Sequence, residues 1–172
     1  ARARFTKALA QAVAPAKASP AALVSLFNSQ GTQSVRLALA CFKRWGDLVE
    51  SRNSADEHLM ELIKADGPKA MVAALEAHGE KEANVAEHGC RSLASIAYGS
   101  QDNKELVVES GALPAILKAM QAHAAIPAVQ VQGLTALANI AAGNDACKSA
   151  LNSASAPTSV SSAIIDHKGD AN

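Results

Sequence analysis

The sequence predicts an all-α solenoid in which one triplet of helices recurs along the chain. Three observations carry this. The 172 residues are 49% hydrophobic but only 3% aromatic, so the apolar content is mostly Ala, Leu, Val and Ile, with the best helix formers prominent. A block of seven residues returns after 44 positions: Leu93-Ala-Ser-Ile-Ala-Tyr-Gly99 and Leu137-Ala-Asn-Ile-Ala-Ala-Gly143. Inside one period the apolar positions follow the i, i+3, i+4, i+7 rule of an amphipathic helix. Self-similarity at a fixed period of this size is the mark of stacked repeats.

The register extends beyond the seven residues. Val85 matches Val129, Gly89 matches Gly133, Gly67 matches Gly111 and Lys104 matches Lys148, all at 44. One residue out of step, Ala74-Leu-Glu-Ala-His78 matches Ala119-Met-Gln-Ala-His123, and His167 follows His123 by 44.

Residues 1–19 are Ala-rich, basic and free of acids, and the first residue is Ala1. This segment has the flavour of an organelle transit peptide, of the mature start left once such a peptide is cleaved, or of an amphipathic N-terminal helix. Residues 20–54 form a partial repeat with Leu23, Val24, Leu26 and Phe27, then Val35, Leu37, Leu39, Phe42 and Trp45. Residues 55–99 form a full repeat. A short helix over 55–65 places Leu59, Leu62 and Ile63 on one face, Asp66-Gly67 turns the corner, a second helix runs over 68–78, and a third over 82–98 ends at Gly99. Residues 100–143 repeat the pattern. Asn103–Glu109 is the short helix, and Gly111 breaks it because glycine suits a left-handed corner. The second helix starts near Ala112 with Pro114 in its first turn, where a missing N–H costs little. After a linker over 123–127, the third helix runs over 128–142 to Gly143. Residues 144–172 make a partial last repeat and tail, in which Val160, Ile164, Ile165 and His167 keep register.

The run from Asn103 to Ile116, NKELVVESGALPAI, resembles the signature around the first two helices of armadillo repeats. The run from Val129 to Ala141, VQVQGLTALANIA, resembles their third helix. The resemblance is close over 101–143, good over 55–99 and weaker over 20–46. It implies a right-handed superhelix of helix triplets whose third helices line a concave groove. In that family the groove commonly holds an extended peptide, with third-helix side chains, often Asn, on its backbone. The matching positions are Asn139, Ser95 and Arg44, and the candidate groove is Arg44, Glu87, Arg91, Ser95, Gln132, Thr135 and Asn139. One turn before the Asn position, where nuclear-import receptors carry Trp, stand Thr135 and Arg91. The Trp–Asn ladder is therefore absent, which argues against a receptor for nuclear-localisation signals.

Formal charge sums to zero but is unevenly placed. Residues 1–46 hold seven bases and no acid, while the remaining nine bases and all sixteen acids leave residues 47–172 at −7. A basic start on an acidic body suits an arm on an acidic partner or a solvated tail. The acidic body repels phosphate, and no nucleic-acid motif occurs. Cys41, Cys90 and Cys147 are widely spaced and odd in number, which fits a reducing intracellular compartment, cytoplasmic or, with a transit peptide, chloroplast or mitochondrion. No run of 18 apolar residues exists to span a membrane.

Catalytic chemistry is not in evidence. No GxSxG, HExxH, P-loop or GxGxxG occurs. His88-Gly89-Cys90 lacks the further ligands a metal needs, so Cys90 is expected in the core and His88 on the surface. His78, His123 and His167 fall on separate repeats, too far apart to share an ion, and are expected at the negative ends of second helices. Asp56, Glu57 and Glu61 fit the acid bias of a helix start. The expectation is a non-enzymatic chain without cofactor or metal: a protein-binding module or scaffold. The alternative is a structural subunit built into a large, possibly organellar complex through the apolar ends of the stack.

Overall fold

A computed structural model describes residues 19–30, 33–49 and 55–154. The transit-peptide expectation and the register of Val160 to His167 lie outside these residues. Among the described residues there is no strand, and the fold is all-α. Helix α1 is Pro20–Gln30, α2 Val35–Val49, α3 Ala55–Lys64 and α4 Gly67–Ala74, which runs on into a π-helical turn over Leu75–Gly79. Then come α5 Ala83–Ala97, α6 Gln101–Glu109, α7 Ala112–Ala122, α8 Pro127–Ala141 and α9 Asp145–Ser153. Among the described residues no helix is long and apolar enough to cross a membrane.

Local chemistry starts these helices where they start. Ser19, Ser34 and Ser100 accept backbone N–H bonds from Ala22, Leu37 and Asn103, and Asn144 accepts one from Cys147. Each satisfies an N–H that the first helical turn leaves over. Pro68 and Pro127 stand in the first turns of α4 and α8.

Helices α2, α5 and α8 lie side by side, with the most extensive packing between α5 and α8. Helices α1, α4 and α7 form a second row behind them, and the short helices α3, α6 and α9 pack across the two. One continuous core runs through the rows. Its first part is aromatic: Trp45 meets Phe42 edge-on at 5.4 Å and Phe27 at 6.1 Å. Its remainder is aliphatic, with Leu62, Met71, Leu93, Ile116 and Ile140 fully buried.

The corner at 66–67 divides its work between two residues. Asp66, not Gly67, takes the left-handed conformation (φ 59°), while Gly67 opens α4. Gly67 is required by space instead. A Cβ there would stand 2.6 Å from the Leu62 side chain and 2.7 Å from the Leu62 carbonyl oxygen. The left-handed counterpart in the next triplet is Gly111 (φ 86°), so the corners correspond at 45 residues rather than 44. The one-residue slip is taken up at the end of the second helix. Four residues lie between His78 and Ala83 but three between His123 and Pro127, so the extra residue falls in the connection that follows His78 in the π-turn. The third helix of the last full triplet starts at Pro127, one residue earlier than expected.

The two kinds of glycine separate in a stability test. Gly67→Ala forces a backbone clash and should lower unfolding free energy by about 1–3 kcal/mol. Gly46→Ala, inside α2 with nothing within 4 Å of its added Cβ, should raise it by about 0.5–1 kcal/mol. Urea denaturation of both variants beside the parent measures this.

Candidate groove along the third helices

The expected groove residues sit on α2, α5 and α8. Five of them come together: Arg91 and Ser95 of α5 and Gln132, Thr135 and Asn139 of α8 line one cleft of about 380 Å³ with Ala94 and Tyr98. A second cleft, of about 320 Å³ between α2 and α5, shares Arg91 and Ser95 with the first. Its other walls are Lys43, Trp45, Asp47 and His88, over a floor of Phe42, Leu62 and Met71. The two clefts thus make one run across the three helices. Arg44 and Glu87, both half-buried, line neither.

The side chains in the run differ in what they have to offer. Ser95 Oγ donates to the Arg91 carbonyl at 3.1 Å, and Thr135 Oγ1 to the Val131 carbonyl at 2.7 Å. Both hydroxyl protons are turned back along their own helices, leaving lone pairs outward. Asn139, the residue matched to a peptide-holding position, donates Nδ2 to the Ala94 carbonyl at 3.0 Å. It ties α8 to α5, and its Oδ1 remains an acceptor. Tyr98 is 79% exposed at the end of α5 and forms part of the α5–α8 cleft wall.

Residues outside the expected set also belong here. Tyr98 stood in the repeated seven-residue block, where it looked like a helix end. Lys43 adjoins the chosen Arg44 but is the one that faces the cleft. His88, expected on the surface, is half-buried in the cleft wall. Burial lowers its pKa below 6.5, opposed by the Glu87 carboxylate and reinforced by the charges of Lys43 and Arg91. Cys90 is in the core as expected. Burial pushes its thiol and that of Cys41 up to about 12 and raises that of Cys147 as well. Thiolate nucleophiles are therefore scarce at neutral pH. Among the described residues no group of three His, Cys, Asp or Glu side chains could hold a metal ion.

The lowered pKa of His88 has a direction in pH. The unfolded chain takes up a proton near 6.5 that the folded protein resists, so the contribution is intact above that pH and is lost as pH falls through it. His88→Gln should flatten the decline in urea midpoint between pH 7.5 and 5.5, and an unchanged decline would assign it to other groups. Comparison of the chain with protein-family models and with curated proteins finds no match.

Proposed function

We propose that the chain is a non-catalytic protein-interaction module, a short right-handed solenoid of armadillo-like triplets that holds an extended peptide across its third helices. The observation that carries this reading is the meeting of Arg91, Ser95, Gln132, Thr135 and Asn139 in one cleft continuous with a second. An extended peptide presents N–H and C=O groups alternately. Gln132 offers both kinds of partner from one amide, Asn139 Oδ1 accepts, and Arg91 donates. The raised thiol pKa values and the inward-turned Ser and Thr hydroxyl protons support a binding role over a nucleophilic one.

A second reading, a structural subunit of an assembly, is favoured by the outer side of α8. Ala138 is exposed, Val131 is 57% exposed, and Leu134 and Ala141 are only half-buried. Their counterparts 44 residues earlier are Ala94, Glu87, Cys90 and Ala97, on the helix that α8 covers, and Cys90 and Ala97 are completely buried. A stack leaves its last face bare unless something stacks on it.

Selection from a display library of random peptides, followed by calorimetry, tests the first reading. Binding should weaken at least tenfold in the Arg91→Ala, Gln132→Ala double variant. A library that yields no binder, or binders indifferent to both substitutions, would overturn it. Crosslinking in native extract tests the second. Links at fixed stoichiometry from Lys148, exposed on α9, to one large complex would replace the free module with a built-in subunit.

A further inference from the structure

Among the described residues α8 is the last of the third helices, and its outward face is unlike an end that meets water. Pro127, Val131, Leu134, Ala138 and Ala141 recur at spacings of four and three, which sets them in one stripe along the helix. Val131 is 57% exposed, Pro127 and Ala138 are exposed, and Leu134 and Ala141 are half-buried. Terminal layers of a stack ordinarily carry a polar outer face. Here the change runs the other way. At the offset of 44, Glu82 corresponds to Ile126, Glu87 to Val131 and Arg91 to Thr135. The covered helix α5 keeps its charges, and the uncovered α8 has none.

The stripe reads nearly the same from either end. With Leu134 as centre, Pro127 and Ala141 lie seven residues to either side, and Val131 and Ala138 lie three and four. Two such helices laid antiparallel bring Leu134 to the partner's Leu134 and set Val131 against the partner's Ala138. A small residue opposite a larger one lets helix axes approach to about 8 Å. Each helix N-terminus then lies near the other's C-terminus, where the partial charges are opposite. Head-to-tail continuation of the stack is less suited. It would bring α2, with Arg36, Lys43, Arg44 and Asp47, up to a face with no charge to pair them.

We propose that the outward face of α8 pairs with the same face of a second copy of this chain, the two helices antiparallel about a two-fold axis beside Leu134. This pairing rests on the reading of the chain as an assembly subunit and makes the partner another copy. The axis runs perpendicular to both helices within the interface, so it leaves the flanking row of Gln132, Thr135 and Asn139 on the same side in both copies. The two cleft runs then open on one face of the dimer. The stripe is about 21 Å long and about 10 Å wide. That is less than the roughly 800 Å² per partner of a standard interface, so the dimer dissociates in the micromolar range.

Sedimentation of the whole chain across that range should show a reversible monomer–dimer equilibrium. Val131→Glu and Ala138→Glu, both at exposed positions, should each weaken it by about tenfold or more, with thermal unfolding unchanged. Cysteine pairing tests the register, since the native Cys41, Cys90 and Cys147 are buried. Val131→Cys and Ala138→Cys chains should form a disulfide-linked pair when mixed and oxidised, and neither should link to itself. A chain that sediments as a monomer throughout, a dimer indifferent to both glutamates, or self-linking of Val131→Cys overturns the proposal. A monomer whose Ala138→Cys thiol resists alkylation overturns it too, and assigns the cover to residues of the same chain beyond 154. A monomer that still crosslinks through Lys148 to one other protein in native extract overturns self-pairing and leaves the assembly reading standing. A monomer without such links removes both.

Discussion

A second helix can seat on a third helix only as closely as the side chains between them allow, and two glycines set that distance. A Cβ on Gly89 of α5 would stand 2.6 Å from Leu75 Cδ2 and 2.8 Å from Leu75 Cγ. A Cβ on Gly133 of α8 would stand 2.5 Å from both Cγ and Sδ of Met120. Without those Cβ atoms, Leu75 and Met120 reach the backbone of the helix beside them. Close approach fixes the roll of α5 and α8 about their axes, since a rotated helix would bring a bulkier residue under the same side chain. The roll in turn decides which residues meet the neighbouring triplet and which are left facing out. Helix α2 is fixed differently. A Cβ on its Gly46 would meet nothing within 4 Å, and the aromatic cluster of Phe27, Phe42 and Trp45 holds it against α1.

Once the helices are seated, their ends need partners, and many come from another helix. The Gly79 carbonyl, at the end of the π-turn, accepts from His123 Nε2 of the next triplet at 2.8 Å. This is the second-helix end at which histidine was expected, reached across the stack. Gln130, buried in α8, donates to the Met120 and His123 carbonyls at the end of α7. Lys104, only 7% exposed, donates to the Ala142 carbonyl at 2.6 Å, and Gln101 to that of Gly143. His58 closes the Leu48 carbonyl near the end of α2. Helix C-termini leave carbonyls and a partial negative charge, which such donors neutralise. Polar side chains are thus divided between holding the stack and facing out of it, and Asn139 does both.

That division explains what the sequence made legible. Helix identity, order and approximate length follow from apolar spacing and from Gly, Pro and Ser at the ends, and these are local. Five of seven groove positions came together because the third helices do lie side by side, as the internal repeat implied. At the 66–67 corner the pair was legible, but not that Asp66 takes the left-handed conformation while the Leu62 carbonyl claims Gly67 for space. The π-turn over Leu75–Gly79 left no trace in the repeat, whose one-residue slip falls after His78. Lys43, Trp45 and His88 could not be grouped from sequence, since two belong to one helix and one to another, and only the packing of α2 on α5 brings them to one cleft.

The run of clefts is electrostatically uneven, and that bears on how anything could lie in it. Helix α2 carries Arg36, Lys43, Arg44 and Asp47, α5 carries Glu87 and Arg91, and α8 carries no charge at all. Neighbouring packed helices stand about 8–10 Å apart, and at physiological salt the screening length is about 8 Å. The cations of α2 therefore act strongly within their own cleft and weakly two helices away. A ligand spanning the run meets charge at one end and amide and hydroxyl groups at the other. On the proposed peptide-binding reading, contacts at the α2 end would set orientation and lose strength as salt rises, whereas contacts to Gln132, Thr135 and Asn139 would persist. The direction of a peptide held as proposed would then be fixed locally, by which of its ends bears negative charge toward α2.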